Sequence, residues 1–461
     1  MTADEAFLIF ANAVLQRVLA LATSGGVPNV TQAALIFPDG GGSRVITYNT
    51  TAYWVLFQTI NDGALASMQE AADAVRIHLD QGVLAQPVMS DSNGTIQDPT
   101  FEQQVQALVG HLLAPVRDAV ERVNTLDVRP EQLLESYWRH RDQLTATQTP
   151  SEILVPLLNF RMTGGPVRII ESLEVAAFTG QDKTNVWNSM LSVDEQMPLR
   201  QFEQTQFKLF GSFISPRTQP ASDNQFLTLV RDVVTAFRLV KPGDVGAPAV
   251  FRRITNGLFT RWSSLSFLDD LRVRPMYRAA DYAFDSVEAS VVTDVIDKLQ
   301  RIRRSHDIHG LEIGLRRFNQ SYTRDQPEDR IIDLTIAIES TLLAGVSNEL
   351  KFRLLVRGAA LLAGIELPAP AKVLLETLYD VRSQIVHEGK TLADQGVAKI
   401  IGRARSDIPG FDFTAVCENL VRQVLLVYLN RAASGETVAM VNQHLEQRIF
   451  SRLSSLSGGN E

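Results

Sequence analysis

The sequence predicts a mainly α protein: a helical bundle of up-and-down type in the last third, preceded by a mixed α/β N-terminal region. Three observations predict it. From residue 311 onward, apolar residues recur at helical spacing through long segments joined by short connections. Between 146 and 310, short β-type runs alternate with turn residues. Ahead of residue 145, helical periodicity is broken by a single hairpin pattern.

In order, Ala6–Ala22 carries apolar residues at helical spacing and stops at Ser24-Gly-Gly. Ala33–Phe37 and Arg44–Tyr48 flank Pro38-Asp-Gly-Gly-Gly-Ser, which reads as a β-hairpin with a glycine-rich turn. Helices are expected over 64–79, 101–123 and 131–144, and Met89–Thr95 reads as a polar loop. In the middle region, 152–158, 166–170 and 207–213 are strand-like, while 224–240 and 287–304 are helical. The last third gives helices over 311–323, 329–344, 348–364, 371–388 and 411–432, then 436–453 and a Ser/Gly/Asn tail. Gly389 is placed to cap the fourth of these. The expected organisation is 1–145, 146–310, 311–435 and 436–461.

A chain of 461 residues accommodates two or three such units without disulfides or metals. With 45% hydrophobic and 21% charged residues the composition is that of a soluble globular protein. No uncharged apolar run is long enough to span a bilayer, so no membrane partner is expected. The acidic start, Asp4-Glu5, does not resemble a secretory signal, and the expected location is cytoplasmic. The single cysteine, Cys417, excludes internal disulfides and cysteine-rich zinc sites and reads as a small core residue. A net charge of −8 disfavours broad binding along duplex nucleic acid but permits a small basic pocket. No cofactor or metal is expected.

The chemistry centres on Arg382-Ser-Gln-Ile-Val-His387, near the end of the helix 371–388. One residue is a permanent cation able to hold a phosphate; the other is an imidazole, a side chain suited to moving protons. Leu374, Leu378, Val381 and Ile385 form the stripe that buries the helix. Leu375, Tyr379, Arg382 and Val386 form a second stripe, and arginine there needs a carboxylate, a phosphate or a solvated groove. In a straight helix His387 projects about 140° from Arg382, with Asp380 and Ser383 on its own side. One helix therefore does not converge both groups on one phosphate, whereas two helices paired about a two-fold axis would. Spacing by itself is weak: Arg304 to His309 repeats it at a helix end, where a solvated terminus is the default reading. His306, Asp307 and His309 lack a well-placed third partner for a metal, and His78, His111, His140 and His444 are isolated.

Four blocks carry a resemblance. Gly314-Leu-Arg-Arg-Phe-Asn-Gln-Ser-Tyr322 is followed by Pro327-Glu-Asp-Arg-Ile-Ile-Asp-Leu-Thr-Ile-Ala-Ile-Glu339. Then come Glu349–Arg353 with Arg357-Gly-Ala-Ala-Leu-Leu362, and Leu378-Tyr-Asp-Val-Arg382-Ser-Gln-Ile-Val-His387-Glu-Gly. In order and spacing they resemble the Apea-like HEPN family over about 311–435. The resemblance implies a HEPN bundle that forms a homodimer and, for many members, a metal-independent endoribonuclease of anti-phage defence or toxin–antitoxin systems. RNA, including tRNA, would be the substrate and a 2′,3′-cyclic phosphate the product. The family's Arg…His motif maps onto Arg382 and His387. Ser383 stands where the family often has Asn, Asp or His, which leaves its role open. Glu339 matches a family acidic position; the competing reading is a buried salt bridge to Arg353 or Arg357. Residues ahead of the bundle would sense a phage or host trigger. A non-catalytic HEPN scaffold for dimerisation or RNA binding, or a regulatory subunit, is the alternative.

Overall fold

Ile153, Val155 and Leu157 alternate with Leu154 and Leu158, and this period of two gives the strand β5 (Gln148–Leu157) two apolar faces, both buried. In this computed structural model the described residues are 29–38, 43–51, 89–90, 96–97, 148–190, 199–216, 223–255, 262–267, 271, 281–304, 308–404 and 412–457, with scattered positions between 5 and 20.

Two short antiparallel ladders precede β5. β1 (Asn29–Ile36) pairs with β2 (Arg44–Thr51), the expected hairpin. β3 (Met89–Ser90) pairs with β4 (Ile96–Gln97), so the stretch expected as a loop begins as a strand. The described positions between Glu5 and Ala20 are helical, while the helices expected over 64–79, 101–123 and 131–144 lie outside the described residues.

After β5 come β6 (Phe160–Met162), β7 (Val167–Ile170), β8 (Leu173–Ala177), β9 (Phe207–Pro216), β10 (Ala249–Ile254), β11 (Ser263–Phe267) and β12 (Tyr282–Phe284). Six strands form one antiparallel sheet in the order β11-β10-β5-β9-β8-β7, and β6 pairs in parallel with β12 beside it. On one face, Leu154 and Phe251 pack with Phe178, Val186, Phe202 and Trp262 beneath α1 (Gly180–Met190) and α2 (Leu199–Gln204). Phe37, at the end of β1, inserts edge-on against Phe202 there, and its amide donates to Thr184 Oγ1 at 3.0 Å. On the other face, Phe226, Val230, Val233 and Phe237 bring α3 (Asp223–Val240) onto the sheet. Burying each such side chain stabilises by roughly 1.5–3 kcal/mol. α4 (Ala289–Ile302) follows and packs on α3 and β7.

The helical part comprises α5 (His309–Ser321), α6 (Pro327–Leu342), α7 (Leu350–Leu361), α8 (Ala371–Glu388), α9 (Gln395–Ile401), α10 (Phe413–Ala433) and α11 (Val438–Ser457). Proline at the first position of α6 starts that helix without sacrificing a bonded N–H. Asp412 caps α10, accepting from the amides of Thr414 and Ala415. α10 is the central helix: it is buried on most sides, touching α3, α4, α5, α6 and α8. Gly310 and Gly314 let α5 lie close on α6, since a Cβ at Gly310 would collide with the Ser340 carbonyl. Among the described residues the protein is thus mainly α, with a six-stranded antiparallel sheet ahead of the C-terminal helices.

One apolar cluster runs from Ile153 in the sheet to Leu445 in α11, continuous across residue 310. A buried polar network crosses the same junction. Arg422 of α10 donates to the Arg238 carbonyl at 2.7 Å, to Asn419 Oδ1 at 3.1 Å and to Glu418 Oε1 at 2.5 Å. Arg238 of α3 donates to Asn319 Oδ1 at 3.0 Å and to the Val245 carbonyl at 3.1 Å. The Tyr322 hydroxyl and Arg330 each donate to Glu418 at 2.7 Å. Burial first, and then the charge of Glu418, push the Tyr322 phenol well above its usual range, so it stays a donor.

Candidate functional site

α8 begins at Ala371 and ends at Glu388, the bounds expected from the sequence. Its deep stripe, Leu374, Leu378, Val381 and Ile385, is buried throughout. The second stripe runs from inside to outside: Leu375 is buried, Tyr379 and Arg382 are half-buried, and Val386 is 45% exposed. Gly389 ends the helix in the left-handed region, at φ 64°, with its amide donating to the Ile385 carbonyl and that of Lys390 to Gln384. Only a residue tolerant of positive φ closes the helix this way, directly after His387.

Arg382 and His387 therefore stand on one unbroken helix. Five residues correspond to about 7.5 Å of rise and about 140° of rotation, so one copy does not aim both groups at one point. His387 is exposed and makes no side-chain hydrogen bond among the described residues. Arg382 differs from the other arginines of the bundle with an unbonded, buried Nε, since Arg317, Arg330 and Arg353 pair through their terminal nitrogens with Asp333, Glu418 and Glu446. Arg382 makes no side-chain hydrogen bond or ion pair among the described residues.

Glu339, on α6, lies within electrostatic reach of this guanidinium, the two helices being packed together. Burial raises its carboxyl above the usual carboxylate range, and the charge of Arg382 pulls only partly the other way. No hydrogen bond or ion pair within 4 Å joins the two. The alternative pairing of Glu339 with Arg353 or Arg357 does not form. Both arginines go instead to Glu446 of α11, at 2.8 Å and 2.7 Å, and Arg357 also donates to the Leu342 carbonyl.

The two other residues singled out behave differently from one another. Asp380 is engaged, 2.7 Å from Lys351 of α7 and 3.5 Å from Arg403 beyond α9, and so ties three elements together. Its position makes it a structural anchor for α8. Ser383 is half-buried, and its hydroxyl makes no hydrogen bond among the described residues. Sequence reasoning passed over Lys390, whose ammonium lies 2.6 Å from both Gln384 and Glu388 and holds the Glu388 carboxyl below its usual range. A lysine just past a helix-ending glycine was the available signal.

The repeated spacing, Arg304 to His309, lies between the end of α4 and the first position of α5. Arg303, beside it, donates from two nitrogens to the buried carboxylate of Asp232 on α3 and so clamps α4 to α3. Burial still lifts Asp232 above the usual carboxylate range, while the same contact raises the Arg303 guanidinium. His309 is exposed at the first position of α5, and 305–307 lie outside the described residues. Cys417 is buried, and burial pushes its thiol well above the ordinary range, which suits a core residue. Among the described residues no helix is long and apolar enough to cross a membrane.

No protein-family model, curated protein or solved structure shows significant similarity to the chain.

Proposed function

We propose that this chain is a HEPN-type, metal-independent endoribonuclease of the cytoplasm, acting in anti-phage defence or toxin-like growth arrest. The observation that supports it most is the state of Arg382: a half-buried cation with no hydrogen bond or ion pair among the described residues, on the same helix as an exposed histidine. A guanidinium in that state is suited to a phosphate oxygen, which supplies both charge and hydrogen-bond acceptors. The four-block resemblance supplies the family.

The reaction follows from those groups. The RNA 2′-hydroxyl loses its proton and attacks the adjacent phosphorus. The phosphorus–O5′ bond breaks, and the leaving oxygen takes up a proton. The products are a 2′,3′-cyclic phosphate and a 5′-hydroxyl. Arg382 stabilises the charge of the phosphorane, and His387 moves a proton. Because the two groups diverge on one helix, the working site is shared by two copies with their α8 helices paired. The residues ahead of the bundle act as its sensor.

Val386 and Phe352, exposed on α8 and α7, favour a second reading, a HEPN module that dimerises or holds RNA without cleaving it. The discriminating experiment is cleavage of total RNA and tRNA in EDTA. His387→Ala should lower the rate by about 10²–10⁴-fold with the fold and dimer intact, and His309→Ala should leave it unchanged. Equal cleavage by wild type and His387→Ala would sink the enzyme reading.

A further inference from the structure

Arg382 and Glu339 are opposite charges on two packed helices, each half-buried, close enough for one to act on the other electrostatically and yet without a hydrogen bond or ion pair between them. Elsewhere among the described residues of the bundle such groups close into ion pairs: Arg317 with Asp333, Arg330 with Glu418, Lys351 with Asp380. Here the pair stays open. An anion that reaches the guanidinium is brought close to the carboxylate as well, in surroundings that screen poorly. Two negative charges then share one positive charge, and the arrangement is relieved if one of them is neutralised.

We propose that binding of a phosphodiester at Arg382 is coupled to uptake of a proton by Glu339, so that the carboxyl acts as a proton-linked gate on the anion site. The inference rests on the reading of Arg382 as a phosphate-binding residue and adds how that site is regulated. Glu339 is the group placed to do it, because the half-buried charges on the elements packed against α6 are paired elsewhere, while Lys372, His387 and Glu388 of α8 and Arg316 of α5 are exposed to solvent. On α7, Arg353 and Arg357 pair with Glu446 and Lys351 with Asp380. On α10, Glu418 and Arg422 bind one another, and on α5 Arg317 is held by Asp333. His309 and Glu312 lie in the first turn of α5, and Arg382 is the charged side chain that acts on Glu339. The carboxyl is already biased towards holding a proton, since burial raises it above its usual range. By linkage, whatever factor protonation of Glu339 adds to anion affinity, anion binding adds to its proton affinity.

The sign follows. Affinity for the anion is high while Glu339 is protonated and falls as pH rises through the raised value of that carboxyl. In Glu339→Gln the site behaves as if protonated throughout: affinity above that pH should rise by about 5- to 150-fold, the usual span of such couplings. Glu339→Gln is then a positioning-site variant that tightens binding, whereas loss of a purely structural residue would weaken it.

Calorimetric titration of the full chain with a short oligothymidylate is the test. Its phosphodiesters do not titrate near neutrality, and without 2′-hydroxyls it cannot be cleaved. Repeating the titration in buffers of different ionisation enthalpy counts the protons exchanged. Wild type and His387→Ala should take up a proton on binding, and Glu339→Gln should bind more tightly with none. Uptake that persists in Glu339→Gln, or binding by wild type without uptake, would overturn the gate. Binding that is unaffected by Arg382→Met would instead overturn the phosphate site itself, so the two failures are told apart.

Discussion

Arg422 and Arg382 belong to helices of the same bundle, and the structure surrounds them in opposite ways. The Arg422 guanidinium is fully enclosed and reaches a main-chain carbonyl, an asparagine, a tyrosine hydroxyl and a glutamate. Arg382 is half-exposed, and its Nε reaches nothing among the described residues. An enclosed charge that is fully bonded belongs to the fold: it fixes how α3 and the sheet sit on α10, and its loss strands its partners. An open charge contributes little to folding and remains available to a ligand. Two arginines of similar sequence context thus separate into a structural and a candidate functional role by their hydrogen bonds alone.

The comparison breaks most visibly at the enclosed end. Glu418→Ala removes the acceptor of Arg330, of Arg422 and of the Tyr322 hydroxyl at once. It should cost about 3–5 kcal/mol, the range for removing one partner of a buried charge pair. Urea unfolding measures it; a loss under about 1 kcal/mol would mean that the network is not holding the sheet to the bundle.

Glu339→Gln sharpens the comparison with a smaller effect of the other sign. The native carboxyl titrates above its unfolded value because burial disfavours its charge. Its ionised form is therefore destabilising: stability declines as pH rises from below the unfolded value through the raised native one. Glu339→Gln should be more stable than wild type above that window and equal to it at acid pH. Unfolding curves collected across pH check this, and a variant less stable at neutral pH would show that the carboxylate is bonded after all.

Much of this was legible in the chain. α8 could be bounded at both ends because its stripe of Leu374, Leu378, Val381 and Ile385 and its closing Gly389 are purely local signals. β5, β9 and α3 were legible for the same reason, through period two and period 3.6. The strands β8, β10, β11 and β12 were not read, since they are short and gain their partners from distant segments. α1 was also passed over. It is poor in apolar residues, although Thr179 and Asp182 form a reciprocal cap that marks its start. At the site, the sequence points to Arg382, His387 and Glu339, but not to who pairs with whom. Arg353 and Arg357 choose Glu446, about ninety residues away and contributed by the last helix. That choice leaves Glu339 within electrostatic reach of Arg382, and no local pattern encodes it.

The central claim is that Arg382 is held ready for a ligand and does not support the fold. The urea-unfolding free energy of Arg382→Met tests it most directly, because methionine keeps the apolar length of the stem and removes only the charge. Stability within about 0.5 kcal/mol of wild type, or above it, is the predicted result. A loss of several kcal/mol would show that Arg382 is bonded in the folded protein like Arg422, and would contradict the account.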